Sequence, residues 1–334
     1  MKTLITGANG YIGSHLADEL LKNGHSVSAL ILEGTDPAPL QGKPVQIFTG
    51  DVLDRESLER AVEGCETVFH LASLVGIWHK NPGLFNEINV RGTENLLEAC
   101  LSRGIRRVLI CSSCGIFGPS RQGEIVDETR ENGANLTDPY EVSKYQQVAL
   151  AKRYLRQGLE VVFVYPTRVF GPGIESEGNS LTAILQGVAG GTWRILLGNG
   201  RNVANYVFVD DVVRGMALVM EAGKNGEGYI LGGTNVTYEQ LFELLQGITG
   251  KHLHLTRVPY AVLYGLALLE GLRSKITGRR PFITVHAAKK YTSDWLVSTE
   301  KIQRELDFHP TPLDVAMSYT LRALQRMPGS VAVC

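Results

Sequence analysis

The stretch Thr3-Leu4-Ile5-Thr6-Gly7-Ala8-Asn9-Gly10-Tyr11-Ile12-Gly13 decides the fold. Four residues of β character run into a glycine loop, and the loop opens onto an amphipathic segment at residues 12–22. Glycine belongs here because the turn is tight and the backbone must approach a pyrophosphate closely. That pyrophosphate would rest on the unpaired N–H groups at the helix start. The spacing Gly7-x2-Gly10-x2-Gly13 departs from the usual G-x-G-x-x-G, so its context has to carry the reading.

The context extends through the first half of the chain. Apolar β-type runs at residues 3–6, 26–32, 45–49, 67–71, 107–111 and 160–165 alternate with helix-period segments at 12–22, 56–62, 94–101 and 141–155. Strand, helix, strand at this spacing predicts right-handed βαβ units and a parallel sheet covered on both faces. Two later runs, 206–209 and 229–231, are expected to return to that sheet. We therefore expect an α/β doubly wound sheet over residues 1–173, completed by strands near 203–233. A smaller C-terminal lobe is expected at 174–202 and 234–334. Asp51, after the third strand in Gly50-Asp51-Val52, falls at the sheet edge where such folds bind ligands. Its alternative role is to cap the following helix.

Composition removes several function classes. The 33 Lys+Arg nearly cancel the 34 Asp+Glu across 334 residues, which argues against a basic nucleic-acid surface. Five Cys make no disulfide framework, and a reduced, cytoplasmic setting is expected. Met1-Lys2 runs straight into the first strand, so no secretory leader is expected. The longest apolar run, 261–269, is too short for stable membrane insertion.

Among 12 Tyr, only Tyr140 is followed by Lys four residues later, Lys144. On a helix the two share a face, where an ammonium would favour tyrosinate and lower the phenol's pKa. Such a tyrosine can exchange a proton with an alcohol oxygen near neutral pH. A surface Tyr–Lys pair is the plain alternative. Upstream, Leu109-Ile110-Cys111-Ser112-Ser113 reads as a buried strand ending in hydroxyls. Ser113 could orient the same oxygen, or simply cap a turn.

Taken in order, Gly7/Gly10/Gly13, Asp51, His70-Leu71-Ala72, Asn89-Val90-Arg91-Gly92-Thr93, Ser112-Ser113 and Tyr140-x-x-Ser143-Lys144 resemble the extended short-chain dehydrogenases/reductases. The later runs Pro166-Thr167-Arg168-Val169-Phe170-Gly171-Pro172 and Tyr206-Val207-Phe208-Val209-Asp210-Asp211 look like the same family's landmarks. The resemblance implies a Rossmann domain that binds NAD or NADP, with Ser113, Tyr140 and Lys144 as the catalytic triad. It implies that Lys144 holds the nicotinamide ribose and that Asn89 supports the site. It further implies cofactor contacts from Gly7, Asn9, Gly10, Tyr11, Ile12, Gly13, Glu33, Asp51, Val52, Leu71, Ala72, Asn89, Tyr140, Lys144, Pro166 and Arg168.

Three departures choose between branches. Where the resembling 4,6-dehydratases carry Asp-Glu after the catalytic hydroxyl, this chain has Cys114-Gly115. Ala204-Asn205 stand where sugar-nucleotide epimerases place a diphosphate-gripping Arg, and Arg168 replaces their Asn. The run 166–172 looks more like dihydroflavonol reductases, and the C-terminal half is similar to hopanoid-associated epimerase-like proteins. A hydroxy/keto oxidoreductase acting on a small molecule is the expectation; a nucleotide-sugar epimerase and a non-catalytic NAD(P)-binding scaffold are the alternatives. For the cofactor, the expected NAD acid falls on Ile31 and the NADP arginine on Leu32. Glu33 lies just beyond, and no cation follows before Lys43, which leans to NAD.

The remaining features read plainly. Cys111-x-x-Cys114 lacks the further ligands of a zinc site, so no metal is expected. His252 and His254 are expected to share a strand face. Residues 258–272, with Arg273, Lys275, Arg279 and Arg280 behind them, read as a core or lid helix with a basic exit rather than a membrane contact. Arg168 and Arg201 could meet an anionic substrate group or form surface ion pairs. Leu96, Leu97, Leu101, Val148 and Leu155 exceed what one sheet face needs, which, with the family's habit of pairing these helices, predicts a homodimer.

Overall fold

The computed structural model describes residues 1–326 apart from 122, 132, 175, 177 and 178. The first half alternates as expected: β1 (Lys2–Thr6), α1 (Tyr11–Lys22), β2 (Ser26–Ile31), β3 (Val45–Thr49), α2 (Arg55–Val62), β4 (Thr67–His70), a short α3 (Gly83–Asn86), α4 (Gly92–Ser102), β5 (Arg107–Cys111), α5 (Pro139–Tyr154) and β6 (Glu160–Pro166). Then come β7 (Arg168–Phe170), α6 (Ser180–Ala189), β8 (Ile195–Leu197), β9 (Val203–Phe208), α7 (Val209–Ala222) and β10 (Gly228–Leu231). The chain continues through β11 (Thr234–Thr237), α8 (Tyr238–Thr249), β12 (Thr256–Val258), α9 (Tyr260–Thr277), α10 (Val285–Tyr291), α11 (Glu300–Leu306) and α12 (Leu313–Arg326).

Seven parallel strands lie in the order β10-β6-β5-β4-β1-β2-β3. The order reverses between β1 and β4, whose last residues Thr6 and His70 are partners. That switch point is where open α/β sheets bind ligands. Alternate strand residues feed two cores, one on each face. Leu4, Val108, Ile110, Val161 and Phe163 point to one core. Ile5, Leu109, Val162 and Val164 point to the other.

Two expectations fail here, and the premise of a third does. β10 joins the main sheet, but β9 does not: it pairs parallel with β7 and antiparallel with β11 in a sheet of its own. His252 and His254 precede β12 rather than lie in it, with rings edge-on at 4.9 Å. The leucines offered for a dimer are largely spent at home: Leu96, Leu97 and Val148 are buried in the chain's own core, with Leu101 and Leu155 packed on it.

Gly13 shows how tightly the first turn is built. A Cβ there would overlap the Gly7 carbonyl oxygen and sit 2.9 Å from the Ala8 Cα. Gly13→Ala is therefore expected to cost about 1–3 kcal/mol, the usual penalty for overpacking. Urea unfolding of the purified variant checks this, and an unchanged midpoint would contradict it.

Candidate active site

The loop after β1 is shaped for an anion. Gly7 has φ +68°, and a Cβ on it would come 2.8 Å from the Ala72 nitrogen. Leu71 and Ala72 hold that approach by donating to the Thr6 carbonyl at 3.2 Å and the Thr6 hydroxyl at 3.1 Å. No side chain caps Gly10 at the start of α1, and the first turn carries no acid. The leading N–H groups of α1 thus face outward with their positive dipole end open.

The other predicted cofactor residues distribute around this cradle. The Gly7 N–H donates to the Leu30 carbonyl at 3.0 Å, which brings the end of β2, and exposed Glu33 just past it, to the loop. Asn9 donates to the Thr35 hydroxyl (2.8 Å) and the Asp36 carbonyl (3.0 Å), tying down the segment beyond Glu33. Asp51 accepts the Leu53 N–H at 2.9 Å, and Asp54 rather than Asp51 caps α2. Val52 packs against Gly92, where a Cβ would meet its side chain at 2.6 Å. Ile12 stands in the first turn of α1. The Tyr11 ring is buried against Gly173 and edge-on to His15, leaving its backbone to the loop.

The triad candidates gather on the same sheet edge. Asp138 accepts N–H groups of Tyr140 (2.9 Å) and Glu141 (3.3 Å), and Pro139 occupies the first helical position, so α5 begins where Tyr140 faces the end of β5. Ser113 follows β5 and accepts the Gly115 N–H at 3.1 Å, the turn-capping role; its hydroxyl also lies beside the Tyr140 phenol. Lys144 is 2% exposed; its ammonium donates to the Cys111 carbonyl at 2.6 Å and reaches the Ser73 hydroxyl at 3.5 Å. No carboxylate pairs with it among the described residues.

The electrostatics differ from the expectation. Burial, and then the Cys111 thiol, raise the Tyr140 phenol, and only the Ser113 hydroxyl opposes them. The Lys144 ammonium is bonded to the Cys111 carbonyl. Burial depresses Lys144 to about 8. Burial also lifts the thiols of Cys111 and Cys114 to about 11 and about 12, so both stay protonated at neutral pH.

Asn89 is the residue whose role the structure most clarifies. It is fully buried: its oxygen accepts from Leu74 N–H (2.7 Å) and the Ser73 hydroxyl (2.9 Å), while its nitrogen donates to the Leu74 carbonyl (3.0 Å) and Ser143 Oγ (2.9 Å). All four positions of the amide are used, so none is left for a cofactor. Asn89 instead bolts the loop after β4 to α5. Arg168 is also displaced from its expected cofactor role. Its guanidinium sits among the rings of Tyr206, Tyr238 and Tyr291 at 5.6–5.9 Å and donates to Tyr238 Oη at 3.0 Å. Its Nη2 is buried with no hydrogen-bond partner among the described residues. Pro166 ends β6 and is buried; Arg201 is exposed between β8 and β9.

Sequence reasoning missed the cavity beside Tyr140. It holds about 500 Å³ between the loop after β4 (Ile77, Trp78), Phe85 of α3 and the inner side of α9 (Ala267, Leu268, Leu272, Lys275), with Pro139, Asp138 and His286 also lining it. Phe85 meets the Tyr140 ring edge-on at 6.3 Å. The aromatic, Gly/Pro-bounded run 76–83 was the available signal.

The model of the NAD dependent epimerase/dehydratase family matches residues 3–232. The chain belongs to that family. Within it, "Sterol demethylase protein B" of Methylococcus capsulatus is 30% identical over 95% of this chain and 96% of its own. A "Putative dihydroflavonol 4-reductase" of Synechocystis is 27% identical over 94% and 92%. The crystal structure of Thermus thermophilus UDP-glucose 4-epimerase in complex with NAD superposes with TM-score 0.79 at 25% identity, covering 99% and 100%. The family member described here is an enzyme of the extended short-chain dehydrogenase/reductase type.

Burial sets a pH signature for Lys144. The unfolded lysine keeps its proton to about 10.5 and the folded one releases it at about 8. Between those values the unfolded state binds more protons, so this group's contribution to stability rises with pH. Lys144→Met, which removes the charge and keeps the bulk, is expected to be more stable than wild type at neutral pH. That margin should shrink as the pH passes through the window. Urea midpoints of both proteins at either end of it provide the check; a constant margin would contradict the assignment.

Proposed function

We propose that this enzyme interconverts a hydroxyl and a keto group on a compact apolar substrate. The observation that carries the reading is the mainly apolar cavity of about 500 Å³ whose Phe85 wall meets the Tyr140 ring edge-on. A substrate carbon skeleton would fit its walls, which gain by excluding water, with the oxygen extending past Phe85 and Pro139 towards Tyr140 and Ser113. Lys275, His79 and His286 also line the cavity, but none stands where sugar-nucleotide epimerases place their diphosphate-gripping Arg. Asn205, in the place of the diphosphate-gripping Arg, is 1% exposed and engaged with Thr167, Gly233 and Asn235.

The glycine cradle and the open α1 start fit a dinucleotide pyrophosphate, with Gly7, Gly10, Tyr11, Ile12 and Gly13 offering backbone and Asp51 and Glu33 carboxylates. When bound, the nicotinamide cofactor supplies the hydride or accepts it. The chain's own residues handle the proton. Tyr140, raised by burial, is protonated at neutral pH and donates to the substrate oxygen in the reductive direction. Ser113 holds that oxygen by a hydrogen bond. Lys144, held by the Cys111 carbonyl and the Ser73 hydroxyl one helical turn from Tyr140, would present its ammonium to a bound ligand.

Tyr140→Phe is expected to lower turnover of an apolar ketone by about 10²–10⁴-fold while leaving cofactor affinity near wild type. Wild-type rates from Tyr140→Phe, or wild-type activity confined to UDP-sugars, would overturn the reading. NAD is favoured over NADP by Glu33, a carboxylate at the β2 end that would repel a 2′-phosphate. Glu33→Ala is expected to raise the NAD Kd and narrow the preference; an unchanged Kd would remove Glu33 from that role.

A nucleotide-sugar epimerase is the second reading: although Arg168 stands where those enzymes carry Asn, its buried Nη2 is without a hydrogen-bond partner among the described residues and could meet an anionic group.

A further inference from the structure

Helix α9 does not behave as a core helix. Only Leu263, Ala267 and Ser274 are buried along its 18 residues. Leu266, Leu269 and Ile276 form an outward stripe, Leu268 and Leu272 lie beside it, and their exposures run from 49% to 77%. Phe282, just past the helix, is 88% exposed. Contiguous apolar surface of this kind marks an interaction site.

The loop that carries Phe282 is fastened in place. The Phe282 N–H donates to Glu270 at 2.7 Å, and Arg273, itself paired with Glu270 at 2.7 Å, donates to the Arg280 carbonyl at 2.9 Å. The aromatic ring is therefore presented outward by a built structure. In sequence, residues 270–282 carry Arg273, Lys275, Arg279 and Arg280 against one acid, Glu270, which Arg273 pairs; Lys275 also lines the cavity. Apolar residues rimmed by cations complement an anionic bilayer surface. They suit a second copy of this chain poorly, because a two-fold contact would set each basic rim against itself. No described helix is long and apolar enough to cross a membrane, so α9 would lie in the interface plane.

The inner edge of the same helix, Ala267, Leu268 and Leu272, lines the cavity beside Tyr140. The outward face and the cavity wall thus meet along Leu268 and Leu272. We propose that α9 and the Phe282 loop seat the enzyme on an anionic lipid surface, and that its substrate is an apolar alcohol or ketone drawn from that lipid into the cavity. The docking stands on the surface alone; the substrate route rests on the oxidoreductase reading above.

The test is co-sedimentation of the full chain with vesicles of phosphatidylcholine, with and without phosphatidylglycerol. Binding is expected to be about tenfold stronger to the anionic vesicles and to weaken with added salt. Leu269→Glu, Ile276→Glu and Phe282→Glu together, none of which lines the cavity, should abolish binding while turnover of a water-soluble ketone persists. Arg279→Glu should weaken binding and steepen nothing else. Absent binding by the folded wild type, or unchanged binding by the triple variant, overturns the docking. Light scattering in which the triple variant splits a dimer assigns the face to a second copy and also overturns it. If binding holds but a water-insoluble ketone turns over no faster in anionic than in neutral vesicles, the lipid route falls. If no ketone turns over under any condition, the oxidoreductase reading falls and the docking remains.

Discussion

The buried ammonium of Lys144 is the constraint around which this structure is arranged. A lysine 2% exposed, bonded to one carbonyl and one hydroxyl, is costly to place and has no carboxylate to offset it among the described residues. Everything near it serves to hold it there. β5 ends so that the Cys111 carbonyl points at it, α5 is started by Asp138 and Pro139, and Ser73 is held by Asn89. Beneath them His70, pushed down to about 3 by burial and by Lys144, is neutral and bridges the hydroxyls of Thr6 (2.8 Å) and Thr93 (2.9 Å). Strain of this kind concentrates at functional sites, where a ligand can relieve it.

The same network joins the two halves of the site. Thr6 belongs to the strand that enters the glycine loop, and its hydroxyl also holds Ala72, which presses on Gly7. Thr93 accepts from Gln147 of α5 at 2.7 Å and donates to the Asn89 carbonyl at 2.7 Å. A chain of hydrogen bonds thus runs from the cradle for a dinucleotide to the helix that bears Tyr140 and Lys144. The chain around Asn89 is widened to a π-helical turn at Glu87–Arg91, a local irregularity that aims one side chain into the network.

Much of the sheet was legible because parallel strands buried on both faces are continuous apolar runs, and those of β1 to β6 stand out clearly. What the runs do not contain is the partner. Tyr206-Val207-Phe208 is as apolar as any central strand, yet it pairs with β7 and β11, since the register of a short strand is decided by what surrounds it. α9 failed for the same reason: apolarity marks a residue that seeks cover, and only the tertiary structure tells whether the chain supplies it. At the site, the i, i+4 spacing placed Tyr140 and Lys144 on one face but not the direction of the ammonium, which the Cys111 carbonyl captures. The four bonds of Asn89 join positions 15, 16 and 54 residues apart, beyond any local pattern.

The account stands on Lys144 being buried and uncompensated while no ligand is bound. Side-chain ¹⁵N-lysine NMR of the cofactor-free protein, with the resonance assigned by its loss in Lys144→Met, reads this directly. A midpoint near 8 is the expected result; titration at the ordinary value of 10.5 would show a solvated or paired ammonium and contradict the account.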